Sequence, residues 1–279
     1  MPVRNGQATV SHAVASTLRA LPRDAELVIW DDASTDATVS VIERIRDRRV
    51  RLIRSDRPLG VGAALRELTD RTDSRLVARM DADDICLPWR FAVQSAALRE
   101  GRSGILFSSV VRFRTSPLRV SPSAPVGIAT AALPLHLAVM CVVMHPTMLA
   151  TRRAVERAGG YRDVLAEDYD LWLRAATAGV PMRRMALPAL AYRRHAGQVS
   201  VSGEYTRQVS ADARLAQSYR EFVRTTLDLD TTWLPALGAD SPESEAAGRE
   251  LRERLTARSA GLSAWQRTLL ERTMRRLPT

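Results

Sequence analysis

Lysine is absent from this chain of 279 residues, and arginine supplies all 41 of its basic residues. This absence excludes chemistry that requires a lysine, including P-loop phosphate binding, Schiff-base and pyridoxal-phosphate catalysis, and the protein-kinase site. Cysteine is scarce too, because only Cys86 and Cys141 occur, and they form no CxxC pair. Two cysteines are too few for a disulfide framework, so we expect both to be reduced, buried thiols.

Long apolar runs are also missing. The longest candidate, residues 137–144, ends at His145 and Pro146, well short of the ~18 residues of a membrane-spanning helix. The first residues lack the apolar core of a secretion signal, so a cytoplasmic protein is expected. With 46% hydrophobic and 26% charged residues, the composition is that of a folded globular protein.

Aromatic residues make up only 5% of the chain and are not interleaved with basic ones. A basic nucleic-acid-binding protein would agree with the net charge of +10, but such proteins usually combine basic grooves with stacking aromatics. Nucleic-acid binding therefore remains an alternative function, and the main interpretation of the sequence includes no nucleic-acid partner. The arginine excess lies in residues 101–200, which hold 13 arginines and 5 carboxylates. A surface facing phosphate groups and a general drift toward arginine explain this excess equally well.

Short apolar runs alternate with helical patterns over the first hundred residues, and polar turn residues follow each run. This alternation is typical of βαβ units and predicts an α/β fold with a parallel sheet. Ligands bind such sheets beyond the carboxyl ends of the strands. We predict strands at 26–30, 50–53, 75–80 and 104–107, and helices at 10–21, 37–46 and 61–68.

Two of these runs end in clusters of aspartate, DDASTD at 31–36 and DADD at 81–84. Helix capping by Ser34 or Asp36 accounts for one aspartate of the first cluster. In the second cluster, three aspartates in four residues repel one another unless a cation or hydrogen-bond donors compensate, which favours a metal site. An EF-hand is excluded, because Cys86 and Ala92 stand where its glycine and glutamate are required. Hard oxygen ligands suit Mg²⁺ or Mn²⁺ bridging a diphosphate.

Four segments resemble, in order, motifs of the inverting GT-A glycosyltransferases of family 2, over roughly residues 1–203. They are PVRNG at 2–6, DDASTD at 31–36, DADD at 81–84 followed by Pro88 and Arg90, and GGY at 159–161 followed by EDYDLWLR at 167–174. The resemblance implies a GT-A fold, with a Rossmann-like, mostly parallel sheet flanked by helices. Residues 204–279 would then form a C-terminal helical extension.

The same resemblance implies roles for individual residues. Asp81 and Asp83 would hold Mn²⁺ or Mg²⁺, together with His195 from a segment similar to the family's YRxH. Asp168 would be the catalytic base, with His145 and Glu167 on the acceptor side. A nucleotide-sugar donor would contact Pro2, Val3, Arg4, Asn5, Asp32, Asp81 and Asp83.

The implied reaction transfers a sugar, with inversion at the anomeric carbon, to an acceptor hydroxyl or amine. The acceptor is left open between a polysaccharide, a lipid-linked saccharide and a small molecule. Two rival functions also stay open: a sugar-phosphate nucleotidyltransferase, although residues 1–6 lack its glycine-rich loop, and a non-catalytic relative with the same fold.

The two ends of the chain give further expectations. The family carries a short apolar strand before its Pro-Val turn, so the resemblance implies that apolar residues placed before Met1 would support the nucleotide site. Near the other end, helical patterns at 249–258 and 264–276 mix apolar residues with arginine. They would either lie on a membrane surface or pack on the domain or on a second subunit. A peripheral membrane contact and a homodimer both stay open.

Overall fold

The computed structural model describes residues 1–100, 104–114, 120–122, 125–194, 205, 208–209, 211–231 and 242–278. In this part of the chain the strands are β1 (Pro2–Val3), β2 (Leu27–Asp31), β3 (Val50–Arg54), β4 (Leu76–Ala78), β5 (Ile85–Cys86), β6 (Ile105–Phe113), β7 (Val120–Pro122), β8 (Leu149–Thr151) and β9 (Met182–Arg193). The α-helices are α1 (Val10–Ala20), α2 (Thr38–Glu43), α3 (Val61–Asp70), α4 (Arg90–Glu100), α5 (Leu133–Leu137), α6 (Arg152–Arg157), α7 (Glu167–Thr177), α8 (Ala213–Leu227), α9 (Pro242–Arg258) and α10 (Ala264–Met274).

Two sheets organise the fold, which confirms the predicted α/β class. The first sheet is parallel throughout, in the order β1-β2-β3. The second has the order β4-β8-β6-β9-β5, with β7 beside β6, and only β6 and β9 run parallel in it. The run predicted at 75–80 therefore forms β4, which is antiparallel to β8. Short apolar runs carry no orientation signal of their own, because the connecting chain decides how two strands pair.

The central strand β2 is buried along its whole length. Leu27 and Ile29 belong to the core cluster that includes α1, whereas Val28 and Trp30 belong to the cluster that includes α3. Successive side chains of a strand point to opposite faces, so β2 supplies core to helices on both sides of the sheet. This arrangement fixes the carboxyl end of β2, where the DDASTD motif begins.

The C-terminal helices share the larger of these core clusters. Phe222 of α8, Leu255 of α9 and Leu270 of α10 belong to the same cluster as Trp172 of α7. In α10, Leu270 and Met274 are buried, whereas Trp265 is 54% exposed. Most of the apolar side of α10 therefore packs on the domain. No helix in the described ranges is both long enough and apolar enough to cross a membrane.

Several arginines from residues 101–200 form hydrogen bonds to the backbone of other segments of the fold. Five planar N–H donors allow one guanidinium to bond to two loops at once. Packing therefore explains these side chains better than a surface facing phosphate. Six described arginines donate to backbone carbonyl oxygens: Arg152 to Thr69 and Ser74, Arg157 to Ala178, Arg174 to Ala158 and Gly160, Arg183 to Ala97, Arg184 to Val126 and Val142, and Arg193 to Asp83.

A cavity of about 1190 Å³ separates the two sheets. Leu27 and Val28 of β2 line one side, and β4 lines the other. Among the described residues, β4 pairs only with β8, and β1 pairs with β2 only from Pro2 onward. The edge of β4 and the start of β2 that face the cavity therefore have no strand partner among these residues. The Met1 amino group donates to the Val28 carbonyl oxygen at 2.8 Å. Burial, together with the charge of Arg79, lowers the pKa of that amino group to about 4.

We expect a short apolar strand sequence fused before Met1 to raise the Tm by about 4 °C or more, as measured by differential scanning calorimetry. Such a strand would pair with the free edges of β2 and β4 and fill apolar space between them. The matched control carries the same extension with a central proline, which removes a backbone donor from the ladder. Equal Tm values for the two extended proteins would contradict this prediction.

Candidate active site

The segment after β1 folds back onto the turn after β2. The Asn5 N–H donates to Ser34 Oγ at 2.9 Å, and the Thr35 N–H donates to Asn5 Oδ1 at 2.8 Å. Asn5 and Ala33 have left-handed φ values of 51° and 56°, a region that asparagine adopts more readily than most residues. The first two motifs thus meet at the carboxyl ends of β1 and β2, and the Arg4 side chain beside them is exposed.

Asp32 holds the loop that precedes α3. Its carboxylate is buried and accepts hydrogen bonds from the N–H groups of Leu59 (2.8 Å) and Gly60 (3.0 Å). Trp30 Nε1 adds a longer bond of 3.4 Å to the same carboxylate. Asp32 therefore has a structural role in the absence of a nucleotide, and its contact with a nucleotide base stays a prediction.

Two glycines allow the chain to turn into α3 and α3 to approach α7. Gly60, in the loop bonded by Asp32, has a φ of 83°, which strains any residue with a side chain. A Cβ at Gly62, in the first turn of α3, would lie 2.5 Å from the Arg162 carbonyl oxygen and 3.3 Å from Glu167 Cβ. The first turn of α3, which follows the loop bonded by Asp32, therefore packs directly against the segment that carries the predicted base.

The aspartates after β4 form one cluster. One oxygen from each of Asp81, Asp83 and Asp84 lies within 4.8 Å of the others. The buried Asp84 accepts a bond from the Arg193 N–H at 2.8 Å through Oδ1, whereas its Oδ2 has no hydrogen-bond partner among the described residues. Burial and the charge of Asp83 raise the pKa of Asp84 to about 7. Three carboxylates and an unsatisfied buried oxygen fit a divalent cation that prefers oxygen ligands.

Two buried arginines frame this cluster. Arg79 forms an ion pair with Asp81. Burial raises the pKa of both Asp84 and Asp168, and the Arg79 charge opposes that rise in each. Arg79 therefore acts electrostatically on the acid cluster and on the start of α7 alike. Arg90 donates to the Arg79 carbonyl oxygen at 2.7 Å, so it anchors the chain just before the cluster.

A pair of carboxylates begins α7. His145 Nδ1 lies 3.4 Å from Glu167 Oε1, and His145 Nε2 lies 2.8 Å from the Tyr161 hydroxyl oxygen. Asp168 accepts a bond of 2.7 Å from the N–H of Tyr169. Burial, and then the charge of Glu167, raise the pKa of Asp168. A raised pKa suits a general base, which works best when its pKa lies near the working pH.

Asp170 is a structural residue in the same helix. Its carboxylate accepts bonds from Arg174 Nε (2.9 Å) and Ser218 Oγ (2.6 Å) and is fully buried. Arg174 also donates to the Gly160 carbonyl oxygen at 2.8 Å. Asp170 thus ties α7 to α8 and to the turn before α7, which leaves it unavailable as a base.

Replacing Asp170 by asparagine is expected to lower the free energy of unfolding by about 3 to 5 kcal/mol, because it leaves Arg174 as a buried charge without its partner. Ser218→Ala removes a single hydrogen bond to the same carboxylate and should cost only about 1 to 3 kcal/mol. Urea unfolding of the two variants measures both effects. Equal losses would contradict the central role of the ion pair.

The structure brings most of the predicted site residues to one region. Pro2 and Val3 form β1, and Val3 shares a core cluster with Met80, which directly precedes the acid cluster. His145 lies beside Glu167, and the assignment of both residues to the acceptor side stays a prediction. His195 lies outside the described residues, so its role as a metal ligand stays a prediction.

Two residues of the site were not predicted, since Arg79 pairs with Asp81 and Tyr161 contacts His145. Asp84 belonged to the predicted acid cluster but was not singled out as a ligand, and it completes that cluster in the structure. Asp84 and Arg79 lie in or next to the DADD motif, and Tyr161 is the last residue of GGY. Their positions in the motifs were visible in the sequence, whereas their contacts depend on the fold.

Comparisons with known proteins agree with this geometry. The profile named Glycosyl transferase family 2 matches residues 1–158, which is more than half of the chain. The putative glycosyltransferase EpsE of Bacillus subtilis (strain 168) is 29% identical over 188 residues, covering 62% of this chain and 64% of EpsE. The chain therefore spans less than two thirds of that relative. The UDP-Glc:alpha-D-GlcNAc-diphosphoundecaprenol beta-1,3-glucosyltransferase WfaP of Escherichia coli is 26% identical over 198 residues, covering 71% of this chain and 77% of WfaP.

Solved structures share the fold. TarS 1-349 of S. aureus, in complex with UDP-GlcNAc, superposes with a TM-score of 0.62 at 16% identity, covering 99% of this chain and 86% of that one. The mannosyltransferase PcManGT of Pyrobaculum calidifontis, in complex with GDP-Man and Mn²⁺, gives 0.56 at 21% identity, covering 97% and 77%. At these identities the likeness concerns the fold alone, and it confirms the GT-A architecture. Since the profile matches more than half of the chain, including the first three of the four motifs, the chain belongs to glycosyl transferase family 2.

Proposed function

We propose that this chain is an inverting glycosyltransferase that uses Mn²⁺ or Mg²⁺ and a nucleotide-diphosphate sugar. The observation that carries the proposal is the pair of acidic groups on which Arg79 acts. One group is the cluster of Asp81, Asp83 and Asp84, and the other is the carboxylate pair that begins α7. A site with two such groups separates the donor's diphosphate from the base that serves the acceptor.

The donor would bind along the carboxyl ends of β1, β2 and β4. Asp32 and the Asn5 turn would face the nucleoside, and the acid cluster would hold the diphosphate. A divalent cation bound there would neutralise the repulsion between carboxylates and phosphates. Asp81, Asp83 and Asp84 would hold that cation.

Asp168 would act as the general base. It would take the proton of the acceptor hydroxyl or amine while that atom bonds to the anomeric carbon. The bond between this carbon and the diphosphate oxygen would break on the opposite face, and the nucleoside diphosphate would leave with the electron pair. One displacement of this kind inverts the configuration of the sugar.

A lipid-linked saccharide is the acceptor class that the relatives favour. WfaP and WfgD of Escherichia coli are both named for a GlcNAc-diphosphoundecaprenol acceptor. On α10, Trp265 and Arg272 are exposed and lie seven residues apart, which places them on one side of the helix. An exposed tryptophan and an arginine on one face suit contact with an anionic membrane surface. We therefore infer that the protein acts at the cytoplasmic face of the membrane. We favour a lipid-linked saccharide as its acceptor over a polysaccharide or a small molecule.

The test is a panel of nucleotide sugars incubated with the protein and Mn²⁺, with and without GlcNAc-diphosphoundecaprenol. We expect one donor to release free nucleoside diphosphate slowly alone and faster with the acceptor, and the product sugar to have inverted configuration by NMR. Retention of configuration would overturn the inverting mechanism. Release of pyrophosphate from a nucleoside triphosphate and a sugar phosphate would instead identify a nucleotidyltransferase.

A further inference from the structure

His145 is a buried histidine with polar partners on both sides. It is 5% exposed, with Tyr161 at one ring nitrogen and Glu167 facing the other. The ring of Trp172 lies edge-on at a centroid distance of 5.5 Å and holds the imidazole plane. Its contact with Glu167 places it next to the carboxylate that precedes Asp168.

The hydrogen bonds favour one tautomer of His145. Burial, and then the charge of Arg79, lower the pKa of this imidazole to about 3, so it is neutral at neutral pH. Burial raises the pKa of the Tyr161 hydroxyl, which therefore keeps its proton. The other acceptor near this hydroxyl is the Met148 sulfur at 3.8 Å, which is a weak one. Tyr161 thus donates to Nε2, and the ring proton is left on Nδ1, which faces Glu167 Oε1 at 3.4 Å.

We propose that His145 is a positioning residue: its Nδ1–H holds the Glu167 carboxylate and leaves Asp168 as the carboxylate that is free to receive the acceptor's proton. The catalytic role of His145 in this inference rests on the proposed function, whereas its tautomer rests on the geometry. Glu167 and Asp168 are adjacent in sequence, so without such a contact either carboxylate could turn toward the acceptor. The contact of 3.4 Å between His145 Nδ1 and Glu167 Oε1 distinguishes the two.

The contact also has an electrostatic side. The charge of Glu167 raises the pKa of Asp168, after burial itself, and the charge of Arg79 opposes that rise. The buried thiol of Cys141 and the hydroxyl of Tyr205 also interact electrostatically with both carboxylates. A Glu167 carboxylate held in place by His145 therefore keeps its charge at a fixed position beside Asp168.

Two matched variants test the positioning role through activity. His145→Asn places an amide N–H near the position of Nδ1, whereas His145→Gln places its amide near Nε2 and leaves Glu167 without a donor. We expect the Gln variant to lose at least about tenfold in kcat, and the Asn variant to stay within about threefold of wild type. Donor KM should change little in both. Equal kcat values for the Asn and Gln variants would overturn the proposal.

A second measurement does not depend on activity. Protein labelled with ¹⁵N-histidine reports the tautomer of each ring by NMR, and the His145→Asn variant identifies the His145 signals by their absence. We expect a neutral ring with its proton on Nδ1 throughout the neutral range. A proton on Nε2, or a charged ring at pH 7, would overturn the proposal even if the enzyme were active. Failure of wild-type sugar transfer would instead count against the proposed function, with the NMR result still deciding the tautomer.

Discussion

Replacing Asp168 by asparagine is expected to lower turnover at saturating donor and acceptor by about a hundredfold or more. Asparagine keeps the size of the side chain but cannot take a proton from the acceptor. Donor affinity should barely change, because in the proposed site the diphosphate would be held by the acid cluster after β4. In the wild type, turnover should fall as the pH drops through the raised pKa of Asp168, so the acid limb should lie above that of a solvated aspartate. Initial rates across pH, with donor affinity measured separately, check both statements.

Two further variants make this result specific. Asp163→Asn alters an exposed aspartate in the loop before α7 and should leave turnover unchanged. Glu167→Gln should cost less than Asp168→Asn, because the glutamine oxygen can keep the contact with His145 Nδ1 and the base itself is unchanged. Near-normal turnover of Asp168→Asn would move the base to Glu167 or argue against single displacement, since Asp170 is already bonded to Arg174 and Ser218.

Asp83→Ala should weaken the binding of a nucleoside diphosphate in the presence of Mn²⁺ by about a hundredfold, or ~2.7 kcal/mol. The variant removes one of three carboxylates that would share the cation, and a diphosphate beside the remaining carboxylates is repelled without the ion. Isothermal titration calorimetry with and without a chelator measures the effect. In the wild type we expect chelation to abolish most of the affinity, and in the variant we expect it to change little.

The matched control for this experiment is Asp73→Ala, which removes an exposed aspartate before β4. Its affinity for the nucleoside diphosphate should equal that of the wild type with Mn²⁺. If the wild type bound the nucleoside diphosphate equally well in chelator, the acid cluster would not be a metal site. The cluster would then affect the binding of the nucleoside diphosphate only through Arg79 and through hydrogen bonds.

Local patterns in the sequence predicted the elements that depend on local periodicity. The helices at 10–21 and 61–68 agree with α1 and α3 to within about two residues. The helix expected at 37–46 is shorter, because α2 ends at Glu43 and the arginines that follow lie outside it. Repulsion within DADD favoured a metal site, and the structure brings its three carboxylates together, while the metal itself stays a prediction. The assignment of Asp168 as the base came from the resemblance alone.

The contacts that shape the site could not be predicted, because they join residues that are distant in sequence. Asp32 accepts bonds from Leu59 and Gly60, and His145 faces Glu167. Each of these pairs depends on how loops from different strands meet at the sheet edge, which periodicity does not encode. The same reason explains why β4 was expected to run parallel to its neighbours.

The bonds of Asp170 and the shared core have a consequence for how the protein melts. Residues from Val28 in β2 to Leu277 beyond α10 belong to one apolar cluster, and the Ser218 bond joins α8 to α7 within it. Segments that share a core usually unfold together rather than in separate steps. Calorimetry should therefore show a single transition in which the helices after residue 204 and the sheet are lost at the same temperature.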